Sequence, residues 1–195
     1  MTLLELEKHF EDIPQQTRDF FTNKEDELCL TLCEQFIKQY PNNQSILIYK
    51  GICLQRQELF REAIKCFNTV IRLYPDFYIV LRFKAECYFK LKEYPLARNV
   101  YKEVLRYSTD NAEDWCYSAI CFFLEDRKSF AIALLDYAQT VVSDKSTIPL
   151  IKGIMYEHEG QIDDALVSYM ESQILSSKDK KVAGEKIYNL LRNNE

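Results

Sequence analysis

Glycine and proline are scarce. The 195 residues hold four Gly and five Pro, too few punctuating residues for the many tight turns of an all-β protein. The glycines, Gly51, Gly153, Gly160 and Gly184, stand apart from one another, so no glycine-rich loop is available to cradle a phosphate. Histidine is limited to His9 and His158, which leaves little for acid–base chemistry. No apolar run approaches the roughly 18 residues of a membrane span. The amino-terminal residues 1–10 lack the basic start and long apolar stretch of a secretory signal. They read as an amphipathic helix, with Leu3, Leu4 and Leu6 beside Glu5 and Glu7. Excess positive charge is missing too: the formal net charge is -5 and the densest basic run is Lys178, Lys180 and Lys181. Nucleic acid is therefore not an expected partner, and the lysine run reads as a solvated loop or helix start.

What is present is apolar and sulfur-rich. Hydrophobic residues make up 47 % of the chain, enough for a packed core. Seven cysteines form an odd set. Cys29 and Cys33 share a helix face, but no second pair with zinc spacing follows, so no metal is expected. Cys53, Cys87 and Cys121 recur at a fixed interval, which is how a small buried hydrophobe behaves. Reduced thiols and a cytoplasmic or nuclear setting follow. The acidic groups Glu25, Asp26 and Glu27, and Asp163 with Asp164, sit where helices begin, favoured there by the helix dipole.

The interval is 34 residues. Stepping by 34 from Ala63 reaches Ala97, Ala131 and Ala165, and one step back reaches Cys29. A small residue recurs at Thr17, Gly51, Ala85, Ala119 and Gly153, and three residues later a large one at Phe20, Leu54, Tyr88, Phe122 and Tyr156. Other large slots hold Phe67, Tyr101, Leu135 and Tyr169. A proline or turn residue closes each unit at Pro41, Pro75, Thr109, Ser143 and Ser177. Spacings of three and four put these side chains on one helix face. Small residues suit the close approach of two helices in a hairpin, and large ones fill the space between hairpins. One hairpin cannot bury such a face, so neighbours must stack.

The pattern of tryptophan-like, small, aromatic, alanine, aromatic and proline residues resembles the tetratricopeptide repeat family over about residues 10–179. The resemblance implies an all-α, right-handed superhelix, an α-solenoid of about 4.5 helical hairpins plus a carboxy-terminal capping helix. Its divisions would be an amino-terminal helix and degenerate first hairpin at 1–43, repeats at 44–77, 78–111, 112–145 and 146–179, and a cap at 180–195, all within one continuous domain. In the first unit Pro14 is expected to interrupt the first helix, while the second runs over about residues 25–39. In the last repeat Pro149 takes the tryptophan slot as an early helical residue. In the cap, Val182, Ile187, Tyr188, Leu190 and Leu191 are expected to face the stack. Lys181, Glu185, Lys186, Asn189 and Arg192 are expected to face water. The stretch from "LCEQFIKQYP" to "NAEDWCYSAICFF" is also similar to the tetratricopeptide subunit of the endoplasmic-reticulum membrane protein complex, which would imply a scaffold at the periphery of a membrane complex.

In this family the first helix of each hairpin lines the concave face. Carried over by register, the expected partner-binding groove consists of Ile48, Tyr49 and Ile52; Ile79, Arg82, Phe83, Glu86 and Phe89; Tyr117, Ile120, Phe123 and Leu124; and Ile151 with Ile154. The same register also places Gln55, Arg56, Lys90, Glu113, Cys116, Thr147, Leu150, Glu157 and His158 along it. Co-chaperone members grip a carboxy-terminal aspartate pair with Lys, Asn and Arg, but the matching positions here hold Ile48, Ile52, Phe83, Glu113 and Tyr117, or register-shifted sets equally unlike a clamp. An apolar groove suits an apolar or amphipathic protein segment. The resemblance thus implies a non-enzymatic scaffold or adaptor subunit without a cofactor and without membrane insertion. The alternatives are a regulatory subunit of an enzyme complex and a soluble, chaperone-like receptor for a hydrophobic helix.

Overall fold

A computed structural model of the chain describes residues 14–175 and 180–193. The helix expected over residues 1–10 lies outside them. Among the described residues there are eleven helices and no strand. They are α1 (Gln15–Thr22), α2 (Asp26–Gln39), α3 (Gln44–Arg56), α4 (Phe60–Leu73), α5 (Val80–Lys90), α6 (Tyr94–Tyr107), α7 (Ala112–Leu124), α8 (Lys128–Val141), α9 (Thr147–His158), α10 (Ile162–Leu175) and α11 (Lys180–Asn193). Paired in order, they form five hairpins and a final helix, as expected of a tetratricopeptide fold. Pro14 stands at the mouth of α1, and the residues before it lie outside the described ones. Its carbonyl accepts from the Thr17 N–H at 2.9 Å, and its own missing N–H is one that a first turn leaves unpaired anyway. Pro149 lies in the first turn of α9.

One backbone device closes all five hairpins. Lys24, Glu58, Lys92 and Asp126 have φ near +60°, between 59° and 62°, and Gly160 has φ 72°. They too are 34 residues apart. After each, the next N–H reaches back to the carbonyl five residues earlier: Glu25 to Phe20 at 2.8 Å, and Leu59 to Leu54, Glu93 to Tyr88, Arg127 to Phe122 and Gln161 to Tyr156 at 2.9 Å. This is the Schellman ending, which satisfies carbonyls that the helix leaves over. Its left-handed residue favours glycine, yet only one of the five is glycine. Helix starts are capped in places: the Asn43 and Asn111 side chains accept from Ile46 N–H at 3.0 Å and Asp114 N–H at 3.2 Å.

The recurring slots are the inside of the hairpins. Cys29, Ala63, Ala97, Ala131 and Ala165 are fully buried, as are Cys53, Cys87 and Cys121. Burial pushes the Cys87 and Cys116 thiols up to about 12, so they stay protonated and unreactive near neutrality. The close approaches are tight. A β-carbon on Gly51 would run into the Phe67 ring, and one on Gly153 into the Tyr169 ring. Each buried ring of this kind contributes on the order of 2–3 kcal/mol by leaving water.

The chain divides into two compact units, Met1–Val104 and Leu105–Glu195. The core of the first is built on Phe21, Ile46, Tyr49, Phe67, Val70 and Val80. In the second, Trp115, Leu135, Ile148 and Met155 form one cluster, and Leu150, Ala165, Tyr169 and Ala183 another. The Trp115 indole N–H donates to the Thr109 carbonyl at 2.8 Å.

The last helix is rotated from its expected setting. Ala183 is buried and Ile187 packs on the second cluster, whereas Val182 and Tyr188 are exposed. Lys186 does not face water freely. Its ammonium donates to Glu157 at 2.9 Å, and the same carboxylate oxygen accepts from the Tyr169 hydroxyl at 2.6 Å. The small residue and its neighbour four positions on let α11 lie close to α10, and the larger Val182 and Tyr188 are turned aside. The side chains of Leu190, Leu191 and Arg192 lie outside the described ones.

Candidate functional site

The expected groove residues fall into two sets, one in each compact unit. In the first unit, helix α3 is enclosed: Ile48, Tyr49 and Ile52 are buried, and Ile79 just before α5 is buried as well. The Phe21 ring of α1 meets Tyr49 edge-on at 4.3 Å. Ile48, Tyr49 and Ile79 are therefore packing residues here, not a surface. The reason is that α3 is covered from several sides, by α2, α4 and α5.

Around Ile52 the same unit keeps a cavity of about 370 Å³, walled by Ile52, Arg56, Phe60, Phe83, Glu86 and Lys90. Its rim is polar and already cross-tied. Gln55 donates to Glu86 at 2.8 Å across α3 and α5. Arg56 donates to Asp26 and to the Phe21 carbonyl, both at 3.0 Å, and its guanidinium lies 4.2 Å from the Phe21 ring centre. Phe83 is half-buried and stacks on Phe67 at 5.8 Å; Phe89 meets Tyr94 edge-on at 5.6 Å. Arg82 is half-buried.

The second unit is different. Helices α7 and α9 are neighbours, and they carry Tyr117, Ile120 and Leu124 on one and Ile151 and Ile154 on the other at spacings of three and four. Ile120, Phe123 and Ile151 are half-buried and pack on the core. Tyr117, Leu124 and Ile154 keep 36 %, 47 % and 39 % of their surface exposed. His158 stands edge-on to Phe123 at 5.3 Å. The result is an apolar floor with apolar side chains standing out of it.

Beside this face lies a cavity of about 370 Å³ between α8 and α9, floored by Phe123, Ile132, Met155 and Tyr156. Lys128 bridges its mouth to Glu159 at 2.7 Å. In the sequence Met155 only continues the slot of Cys53, Cys87 and Cys121, and Tyr156 the large slot of Phe122, so neither marks an opening. Among the described residues no three of His, Cys, Asp or Glu stand where they could hold a metal ion. Nor is any described helix long and apolar enough to cross a membrane.

Residues 50–114 match the family described as tetratricopeptide repeat. No curated protein matches the chain in sequence. Among solved structures, the chain is similar to a crystal structure of MamA, with TM-score 0.74 and 15 % identity over 87 % of this chain and 99 % of that one. It is similar to TTC0263, a thermophilic tetratricopeptide protein of Thermus thermophilus, with TM-score 0.66 and 19 % identity over 91 % and 96 % of the two chains. YrrB, described as a tetratricopeptide protein with an unusual peptide-binding site, superposes with TM-score 0.67 and 14 % identity over 87 % of each chain. Five hairpins in one 34-residue register, closed by one turn geometry, give the chain a tetratricopeptide repeat fold, and its residues 50–114 match that family.

Proposed function

We propose that the chain is a non-enzymatic scaffold that holds a protein partner, and that the α7–α9 face of the second unit takes the apolar side of an amphipathic segment. The fold is one that typically binds proteins and performs no chemistry. The observation that carries the finer reading is the exposed row Tyr117, Leu124 and Ile154 above half-buried Ile120 and Ile151. Soluble surfaces seldom group such side chains without a use, and spaced aliphatic and aromatic anchors suit a helix laid into a groove. A few of them would dominate the binding energy. The first unit's polar cavity contributes less, because Arg56 is held by Asp26 and Gln55 ties to Glu86 across its rim.

The test is affinity capture with the full chain from the native source, comparing the wild type with Tyr117→Glu combined with Ile154→Glu. Both side chains are exposed, so circular dichroism should be unchanged. Loss of the captured protein in the variant is the expected result. Capture that persists in a folded double variant would overturn the reading.

A further inference from the structure

The solvent side of α10 departs from every equivalent helix. The slot of Val167 holds Thr31, Lys65, Asn99 and Ala133 in the earlier hairpins. That of Met170 holds Glu34, Asn68, Lys102 and Asp136, and that of Ile174 holds Lys38, Arg72, Arg106 and Thr140. All twelve are exposed, so the fold places these slots in water each time and asks for nothing apolar there. Two of them carry ion pairs, Glu34 with Lys50 at 3.1 Å and Asp136 with Lys152 at 2.6 Å. In α10 alone the three become aliphatic or thioether side chains, exposed by 66 % at Val167, 57 % at Met170 and 84 % at Ile174. Packing within the hairpin does not explain them: α10 turns Ala165, Ser168 and Ser172 inward, and Ile162 and Leu166 pack in the cluster that includes Ala183 and Ile187 of α11.

Spacing of three and four is the spacing of a helix–helix seam. Charge selects the occupant. Exposed Asp163 and Asp164 open α10, and exposed Lys181 lies just beyond its other end, at the start of α11. Two copies of α10 laid antiparallel set acid against base at both ends, while a parallel pair would set acid against acid. Antiparallel pairing about a two-fold axis also places Val167 opposite Ile174 and brings the two Met170 side chains together, as an isologous contact requires.

We infer that this face of α10 seats a second copy of the chain, with the two α10 helices antiparallel and Met170 at the axis. The surface is separate from the α7–α9 groove, so either reading can fail alone.

Sedimentation of the full chain over a wide concentration range tests the pairing. The mass is expected to rise from one chain to two. Met170→Lys with Ile174→Lys should weaken the association by about two orders of magnitude, since central apolar anchors dominate such contacts. Asp163→Lys with Asp164→Lys should self-associate poorly and pair again when mixed with Lys181→Glu. Should the double lysine variant fold badly, Met170→Cys supplies a second reading. Mild oxidation should join two copies through it, and should not do so through Glu34→Cys at the same slot of the first hairpin. A chain that stays monomeric at every concentration overturns the inference. So does a dimer indifferent to the α10 variants, or one that Met170→Cys fails to cross-link.

Discussion

Tyr49 and Tyr117 are the same residue type two repeat periods apart, yet one is 1 % exposed and the other 36 %. Two periods also separate Arg56 from Leu124. Arg56 is held by Asp26 and the Phe21 ring, whereas Leu124 leaves nearly half of its surface in solvent. A repeat slot therefore fixes where a side chain begins, on which helix and which face. It does not fix whether anything covers it. In the first unit Phe21 from α1 closes over Tyr49, and the slot becomes core. In the second the slot is left partly exposed, with Tyr117 and Leu124 reaching solvent.

The sharpest way to break this comparison is to truncate both tyrosines. Tyr49→Ala removes a fully buried ring and should cost about 3–5 kcal/mol, read as a large fall in the denaturant midpoint. Tyr117→Ala should stay within about 0.5 kcal/mol, as surface changes do. Similar losses at both sites would mean that the two units do not differ in the way described. A smaller effect tests what the hairpins share. Gly160→Ala places a β-carbon in the left-handed region and should cost about 1 kcal/mol, while Glu58→Gly relieves the same penalty and should gain up to about 1 kcal/mol. Thermal melting of each variant against the wild type gives the sign.

The smallest expected effect concerns the seat of α11. Burial raises the Glu157 carboxyl, but hydrogen bonds from Tyr169 and Lys186 outweigh it and leave the group below the usual carboxylate value. The contribution is present above the unfolded value of about 4.3 and is lost as pH falls through the lower folded value. Amide exchange in α11 should therefore quicken below about pH 4. In Glu157→Gln that part of the acid response should be missing, and an unaltered response would show that other groups hold the helix.

Much of this was legible in the sequence. The 34-residue step, the alanine and small slots, and the buried cysteines are set by helix–helix distance, which tolerates few residue types and so leaves a mark. The turn did not leave one. Its left-handed position holds Lys24, Glu58, Lys92, Asp126 and Gly160, and only the last has the composition that signals it. The rotation of α11 was hidden for a similar reason: Ala183 and Val182 are both apolar, and only contact with α10 decides which one turns inward. The groove was half legible. Its register was readable from spacing, but the burial of Ile48, Tyr49 and Ile79 depends on side chains such as Phe21 that arrive from other hairpins.

The five left-handed turns have a consequence for how such a chain can change over generations. A hairpin closed by backbone hydrogen bonds alone asks little of the side chain at its corner, so acidic, basic and neutral residues can replace one another there at a cost of about 1 kcal/mol or less. What must be inherited intact is length. A single residue inserted within a helix would turn the rest of that helix by about 100°, which makes the length of each helix a stricter trait than the identity of its corner.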